Sequence, residues 1–335
     1  MIVLTQRDIV ELLTMDDCID VMAHALAGLA RGDSLVPLRT MMRLPNQRDI
    51  FALMPAYVGA QGHDPWDPAI GAKIISVFPG NHGTALDSHQ GAVLLFNASN
   101  GSLDAVLDAT AITSIRTAAV SALATKLLAR DDADDLAIIG SGVQARMHLE
   151  AIPLIRKIER VRIWSRNKDN ARALRDRFSP SADVMDTAED AVRGASIVCV
   201  ATSSAEPVVR GDWIAPGAHV NVVGSATPRA REVDTALVKR SRLFVDSRVS
   251  ALNEAGDVLI PIQEGEITAD HIEGEIGEMI AGPRAVHRKP SDITLFKSLG
   301  LAVEDIAAAR FVFERAEERG VGIMIDLGGR RDATA

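Results

Sequence analysis

The apolar positions of this chain change their period part of the way along, and the change divides it in two. Near the start, Thr5 can cap a helix running through Leu13, with Asp8 placed to complete a capping box. A second helix is predicted from after Thr14 towards Arg31, because Ile19, Met22, Ala23, Leu26 and Leu29 recur at helical spacing. Short strand-like runs follow at 40–44, 51–54, 72–78, 91–97 and 103–108, with Asn100-Gly101 reading as a hairpin turn before the last of them. This block predicts a mainly antiparallel sheet with flanking helices.

An Ala-rich helix is expected over 109–130. The run Asp131-Asp-Ala-Asp-Asp135 then reads as a polar, solvated break at a domain entry. Beyond it, strands are expected at 136–139, 161–164, 184, 197–200, 220–223 and 243–245, with helical stretches between most of them. Such alternation marks a parallel sheet covered on both faces. From about Lys297 to Arg319 the pattern is helical again, with Leu301, Val303, Ile306, Ala309 and Val312 apolar. This tail is expected to pack back on the first domain. The expected division is therefore 1–118 with 304–335 as one domain and 119–303 as the other.

Composition narrows the function classes. The length of 335 residues suits two domains, and 47% apolar with 24% charged residues is a globular profile. A net charge of -9 argues against a nucleic-acid footprint. Cys18 and Cys199 are far apart and Cys199 lies in an apolar run, so reduced, buried thiols and a cytoplasmic location are expected. No signal peptide, membrane span or metal site is expected.

The strongest chemical signal is Leu136-Ala-Ile-Ile-Gly-Ser-Gly-Val-Gln-Ala145, a strand running into Gly140-x-Gly142-x-x-Ala145 and then a helix to about Ile155. Gly140 permits the tight turn and Gly142 lets a pyrophosphate approach the backbone. Ala145 allows close helix packing, and the helix N-terminus faces the phosphates. The fold class is therefore α/β, with a Rossmann dinucleotide-binding domain and a second α/β domain. After the next strand, Ser165 stands where an NAD-preferring site usually has an acid, and Arg166 and Lys168 could pair with a 2′-phosphate. NADP(H) is favoured, with NAD(H) possible.

In the first domain, Arg39, Lys73 and Arg116 interrupt apolar runs. A buried lone cation is costly, so each needs an anionic partner, either an internal acid or a bound carboxylate. With few acids nearby in sequence, a carboxylate-binding pocket is expected. A catalytic or cofactor-contacting role is assigned to His89, and a surface-loop position to His82.

The motifs Leu53-Met-Pro-Ala-Tyr57, Ser88-His-Gln90, Arg116-Thr-Ala-Ala-Val-Ser121, Gly140-Ser-Gly-Val-Gln-Ala145, Pro216-Gly-Ala-His-Val-Asn221, Ala255-Gly-Asp257 and Phe296-Lys-Ser-Leu-Gly300 together resemble the ornithine cyclodeaminase/mu-crystallin family over nearly the whole chain. The resemblance implies a homodimer formed through the second, substrate-binding domain, and an enzyme using NAD(H) or NADP(H). It places Arg39, Lys73 and Arg116 in a substrate-carboxylate clamp and Glu254 in the substrate pocket. Among cofactor-contacting positions it places Ser88, His89, Arg116, Ser141, Val143, Gln144, Arg166, Asn167, Lys168, Thr202, Val223 and Ser298.

One departure matters. Cyclodeaminases carry an Asp in a Gly-Gly-Asp-Cys-Pro-like sequence, whereas this chain reads Val223-Gly-Ser-Ala-Thr-Pro228, with Ala226 at the aligned position. The expected activity is therefore reduction of an imine alpha to a carboxylate, either a cyclic ketimine or a linear imino acid. Lys73 and Arg116 are the candidate catalytic residues, and Lys73 or a water is the candidate proton donor. The alternatives are an ornithine cyclodeaminase-type lyase with catalytic NAD, an amino-acid dehydrogenase, and a non-catalytic binder of a dinucleotide and a small ligand.

Overall fold

The computed structural model describes residues 1–59, 67–81, 83–282 and 288–328. His82 lies outside them. The chain separates into two compact units, residues 1–116 with 301–335 and residues 117–300.

The first unit opens with strand β1 (Ile2–Leu4) and helices α1 (Gln6–Leu12) and α2 (Met15–Arg31). Thr5 and Asp8 form the capping box of α1, and Thr14 caps α2. Strands β2 (Thr40–Arg43), β3 (Ile50–Val58), β4 (Ala69–Val77), β5 (His89–Asn97) and β6 (Leu103–Asp108) follow, then helix α3 (Ala109–Leu128). The unit boundary falls inside α3. The β5–β6 turn is longer than the sequence suggests. It spans 98–102, with the Asn97 side chain accepting from the backbone N–H groups of Ser99 and Asn100 and with Gly101 at φ 76°.

In the second unit the order is β7 (Asp135–Ile139), α4 (Val143–Ile155), β8 (Arg160–Trp164), α5 (Lys168–Phe178), β9 (Asp183–Val184), α6 (Ala188–Val192), β10 (Ile197–Val200) and β11 (His219–Val222). It continues through α7 (Thr235–Arg240), β12 (Arg242–Val245), α8 (Arg248–Glu254), α9 (Gly256–Gln263), β13 (Ile272–Glu275), α10 (Ile276–Ala281) and β14 (Thr294–Lys297). The chain then re-enters the first unit as α11 (Ala302–Arg319) and β15 (Ile323–Met324).

The first sheet runs β15-β1-β6-β5-β4-β3-β2. It is antiparallel except where β1 lies parallel to β6. Alternate residues of β3 (Ala52, Met54, Ala56 and Val58) are buried, and α11 packs on β3, β4 and β5. The second sheet runs β13-β12-β14-β11-β10-β7-β8-β9 and all its pairings are parallel. Its direction of growth reverses between β7 and β10, the switch point at which such sheets bind ligands beyond their carboxyl ends. The core is built from fully buried strand residues such as Ile139, Val198, Val200, Val220, Val222 and Leu295.

His219 and Asn221 are buried polar residues in the middle of that sheet. They are satisfied by a chain in which His219 bonds Thr294 Oγ1 (2.9 Å) and Asn221 Oδ1 (3.2 Å), and Asn221 donates to Thr125 Oγ1 (3.0 Å). Burial drives the His219 pKa down to about 3, so the imidazole is neutral.

Two expectations are corrected. Lys297 does not begin a helix. It ends the buried strand β14, and helix α11 starts only at Ala302, because Gly300 turns the chain at φ 73° while Asp246 accepts from the N–H groups of Leu299 and Gly300. Asp135 is not part of a solvated turn. It opens β7 and pairs with the buried Arg162, whereas Asp131, Asp132 and Asp134 are exposed. Strands β1, β13, β14 and β15 escaped the sequence pattern, two being very short and two lying in Gly- and charge-bearing runs. Among the described residues, no helix is long and apolar enough to cross a membrane.

Candidate functional site

The first unit gathers the three cations that interrupt its apolar runs. Lys73 on β4 is buried and pairs with Asp305 Oδ2 at 2.7 Å, and it donates to Thr113 Oγ1 at 3.4 Å. Arg116 on α3 is buried and donates to Glu304 Oε2 at 2.8 Å and Asp305 Oδ1 at 3.0 Å. Arg39, half-buried just before β2, is close enough for its charge to act on Lys73. Burial and the charges of Arg116 and Arg39 lower the Lys73 pKa to about 8, against the pull of Asp305 in the other direction. The lysine is thus poised between its two protonation states near neutral pH, which is unusual for an ammonium.

Internal ion pairs and a carboxylate clamp are alternatives for these cations, and internal pairs are present for Lys73 and Arg116. Glu304 and Asp305 open α11, far away in sequence, which is why counting local acids missed them. Their signal was legible as two adjacent acids inside the apolar repeat of Leu301, Val303, Ile306, Ala309 and Val312. Ser88 and His89 stand at the start of β5, half-buried and exposed, with a 3.1 Å hydrogen bond between Ser88 Oγ and His89 Nδ1.

In the second unit the candidate cofactor positions fall at the carboxyl ends of neighbouring strands. Gly140 follows β7 with φ 129°, and a Cβ there would lie 2.3 Å from the Ala201 carbonyl oxygen, so only glycine fits. Gly142 is the N-cap of α4 and offers no side-chain acceptor, and a Cβ there would meet nothing within 4 Å. The first N–H groups of α4, at Val143, Gln144 and Ala145, therefore begin a helix with open space before it. This is the arrangement a pyrophosphate needs, and the residues fit a dinucleotide.

Ser141 Oγ bonds Ser165 Oγ at 2.8 Å across the ends of β7 and β8. Arg166 and Asn167 are exposed, and Asn167 caps α5. Lys168 is engaged with Asp186, which leaves Arg166 as the better-placed partner for an added phosphate. Thr202, Val223 and Ser298 follow β10, β11 and β14. Glu254, by contrast, ends helix α8, where it is buried. Ala226 is half-buried and packs on the apolar core.

A further cluster joins Asp257 and Lys297, which lie in the sequence motifs without a role, to Glu232, which lies in none of them. Glu232, Asp257 and Lys297 are all buried beneath the same strand ends, and Lys297 Nζ lies 3.0 Å from Asp257 Oδ2.

A family model described as "Ornithine cyclodeaminase/mu-crystallin family" matches residues 1–320. The chain is 40% identical over 293 residues to "Ketimine reductase mu-crystallin" of Mus musculus, covering 87% of this chain and 89% of that protein. Among solved structures it is similar to Thermococcus litoralis Delta(1)-pyrroline-2-carboxylate reductase in complex with NADH and L-proline. The TM-score is 0.92 and the identity 37%, over 97% of this chain and 100% of that one. It is also similar to an archaeal alanine dehydrogenase dimer with bound NAD, with a TM-score of 0.90 and 29% identity over 98% and 99% of the two chains.

The buried pairing makes a first prediction. Asp305→Asn leaves Lys73 and Arg116 short of a carboxylate and should lower unfolding stability in urea by about 3–5 kcal/mol. A loss below about 1 kcal/mol would show that the pairing is dispensable.

Proposed function

The chain belongs to the ornithine cyclodeaminase/mu-crystallin family, and we propose that it is an NAD(P)H-dependent reductase of an imine alpha to a carboxylate, a cyclic ketimine foremost, giving the L-imino or amino acid. The observation that carries this reading is the gathering of Arg39, Arg116 and the buried Lys73, whose pKa is lowered first by burial and further by the charges of Arg116 and Arg39. Cations held this close gain from a further anion, and a substrate carboxylate is the natural one. The three fix the carboxylate and so orient the adjacent C=N carbon. A reduced nicotinamide supplies the hydride. Lys73, protonated below about pH 8, donates the proton to the imine nitrogen and regains one from solvent.

Net reduction is favoured over cyclodeamination by Ala226, which has no proton to move. Glu232, a carboxylate on the same loop, is committed to backbone and Thr202 donors. The relatives named as a ketimine reductase and a pyrroline-2-carboxylate reductase support the same reading. Two buried free thiols, Cys18 and Cys199, suit the reducing cytoplasm we assign to it.

Five- and six-membered cyclic ketimine carboxylates, linear oxoacid–amine pairs and ornithine, each incubated with NADH and with NADPH, test the reaction. Oxidation of the reduced cofactor with a ketimine and none with ornithine is expected, with kcat falling as pH rises through about 8. Ornithine turnover without net redox change would replace the reductase with a lyase.

We assign NADP(H) as the preferred cofactor on Ser165 and Arg166, with Val143, Gln144 and Ser298 as further contacts. Arg166→Ser should cut kcat/KM for NADPH about tenfold and leave that for NADH nearly unchanged. An equal effect on both cofactors would make Arg166 an adenine contact instead.

We also propose a homodimer. The face of the first sheet turned away from α11 carries Phe51, Leu53, Tyr57, Ile70, Leu94 and Phe96, and Phe51, Leu53 and Ile70 are 43%, 40% and 43% exposed. A contiguous apolar face of this kind suits a second copy of itself across a two-fold axis. The related alanine dehydrogenase is a dimer. In sedimentation the protein should run as a dimer and Leu53→Glu as a folded monomer, whereas a monomeric parent protein would remove the proposal.

A further inference from the structure

The loops that leave β10 and β11 carry Thr202 and Val223, two positions assigned above to cofactor contact, and a single buried side chain ties the loops together. Glu232 is fully buried, and its two carboxylate oxygens divide four donors between them. Oε1 accepts from Thr202 N–H at 2.7 Å and from Thr202 Oγ1 at 2.8 Å. Oε2 accepts from Gly224 N–H at 2.6 Å and from Ser225 N–H at 3.1 Å. The two loops pass so closely that a Cβ on Gly224 would fall 2.0 Å from the Thr202 carbonyl oxygen.

Glu232 is itself held from two other elements. Asp257 on α9 accepts from the N–H groups of Glu232 (2.7 Å) and Val233 (3.2 Å) through Oδ1. Lys297 on β14 pairs with Asp257 at 3.0 Å and donates to the Ser225 carbonyl oxygen. Two loops thus meet on one carboxylate, and α9 and β14 brace the segment that carries it.

We propose that Glu232 is a positioning residue that locks the Thr202 and Gly224–Ser225 loops into one rigid platform for the cofactor. This rests on the reading that the chain binds a nicotinamide dinucleotide. Only the carboxylate can serve all four donors. A carboxamide or a carboxylic acid presents a donor on one side, where it meets N–H groups and releases one of the two loops. Asp257 and Lys297 are the charged groups that face it. Burial and Asp257 raise the Glu232 pKa to about 7 while Lys297 and the Thr202 donors oppose the rise. The platform is therefore complete above neutrality and loosens as the carboxylate gains its proton below it.

The test is direct binding, with no imine present. NADH is the probe, because it lacks a 2′-phosphate that would itself titrate near pH 6. Its Kd is read by fluorescence from pH 6 to pH 9 for the parent protein, Glu232→Gln and Glu232→Asp, with Tm measured alongside. The parent Kd should rise as pH falls through about 7. Glu232→Gln should raise Kd at pH 8 by about tenfold or more and make it independent of pH. Glu232→Asp should recover part of both the affinity and the pH dependence. A folded Glu232→Gln with Kd within twofold of the parent overturns the inference while leaving cofactor binding intact. If Glu232→Gln does not fold, a parent Kd flat across that pH range overturns the inference equally. Failure of the parent to bind NADH or NADPH at all removes the inference together with the functional reading beneath it.

Discussion

Burying Lys73 and Arg116 demands carboxylates, and the chain delivers them from a helix whose Asp305 lies 189 residues after Arg116. Nothing between residues 117 and 300 belongs to the first unit, so α11 must return to it after the whole second unit has been made. That return places Glu304 and Asp305 against the cations and also gives β3, β4 and β5 the apolar helix that covers one face of their sheet. Without it the two cations would sit uncompensated in an apolar setting, a state worth several kcal/mol of destabilisation. The discontinuity of the first unit, its core and the state of its cations therefore have one cause.

The second unit solves a different problem. A parallel sheet buried on both faces ends in N–H groups with no further strand to pair with, all on one edge. At Gly142 and the start of α4 the backbone leaves room for a phosphate. Other N–H groups are taken up internally. Glu232 accepts from the loops after β10 and β11, and Asp246 accepts from Leu299 and Gly300 after β14. The same edge is thus open where a ligand would need it and closed elsewhere by buried carboxylates, whose partners make their burial tolerable.

Much of this was legible in the residues. The periods of α1, α2 and the antiparallel strands, the switch to alternating strand and helix after Arg130, and the glycine pair after β7 all express local rules, in which propensity, spacing and backbone freedom point the same way. The resemblance of ordered motifs carried the family. Less legible were β13 and β14, because Lys297 inside a buried strand reads as a polar position until Asp257 is seen beside it. Asp135 misled in the same way, since its acidic neighbours are solvated and it alone finds Arg162.

By itself the sequence determined the two kinds of sheet, the dinucleotide-type turn at Gly140 to Ala145, and the absence of an acid at Ala226. Each of these depends on residues within a few positions of one another. Only the tertiary structure decided which acids meet Lys73 and Arg116, that Lys168 is drawn to Asp186 while Arg166 stays exposed, and that Glu232, Asp257 and Lys297 form one buried cluster. Charge partners are chosen by proximity in space after burial has removed water. Proximity between residues 18 to 232 positions apart is a property of the folded chain that no local pattern encodes.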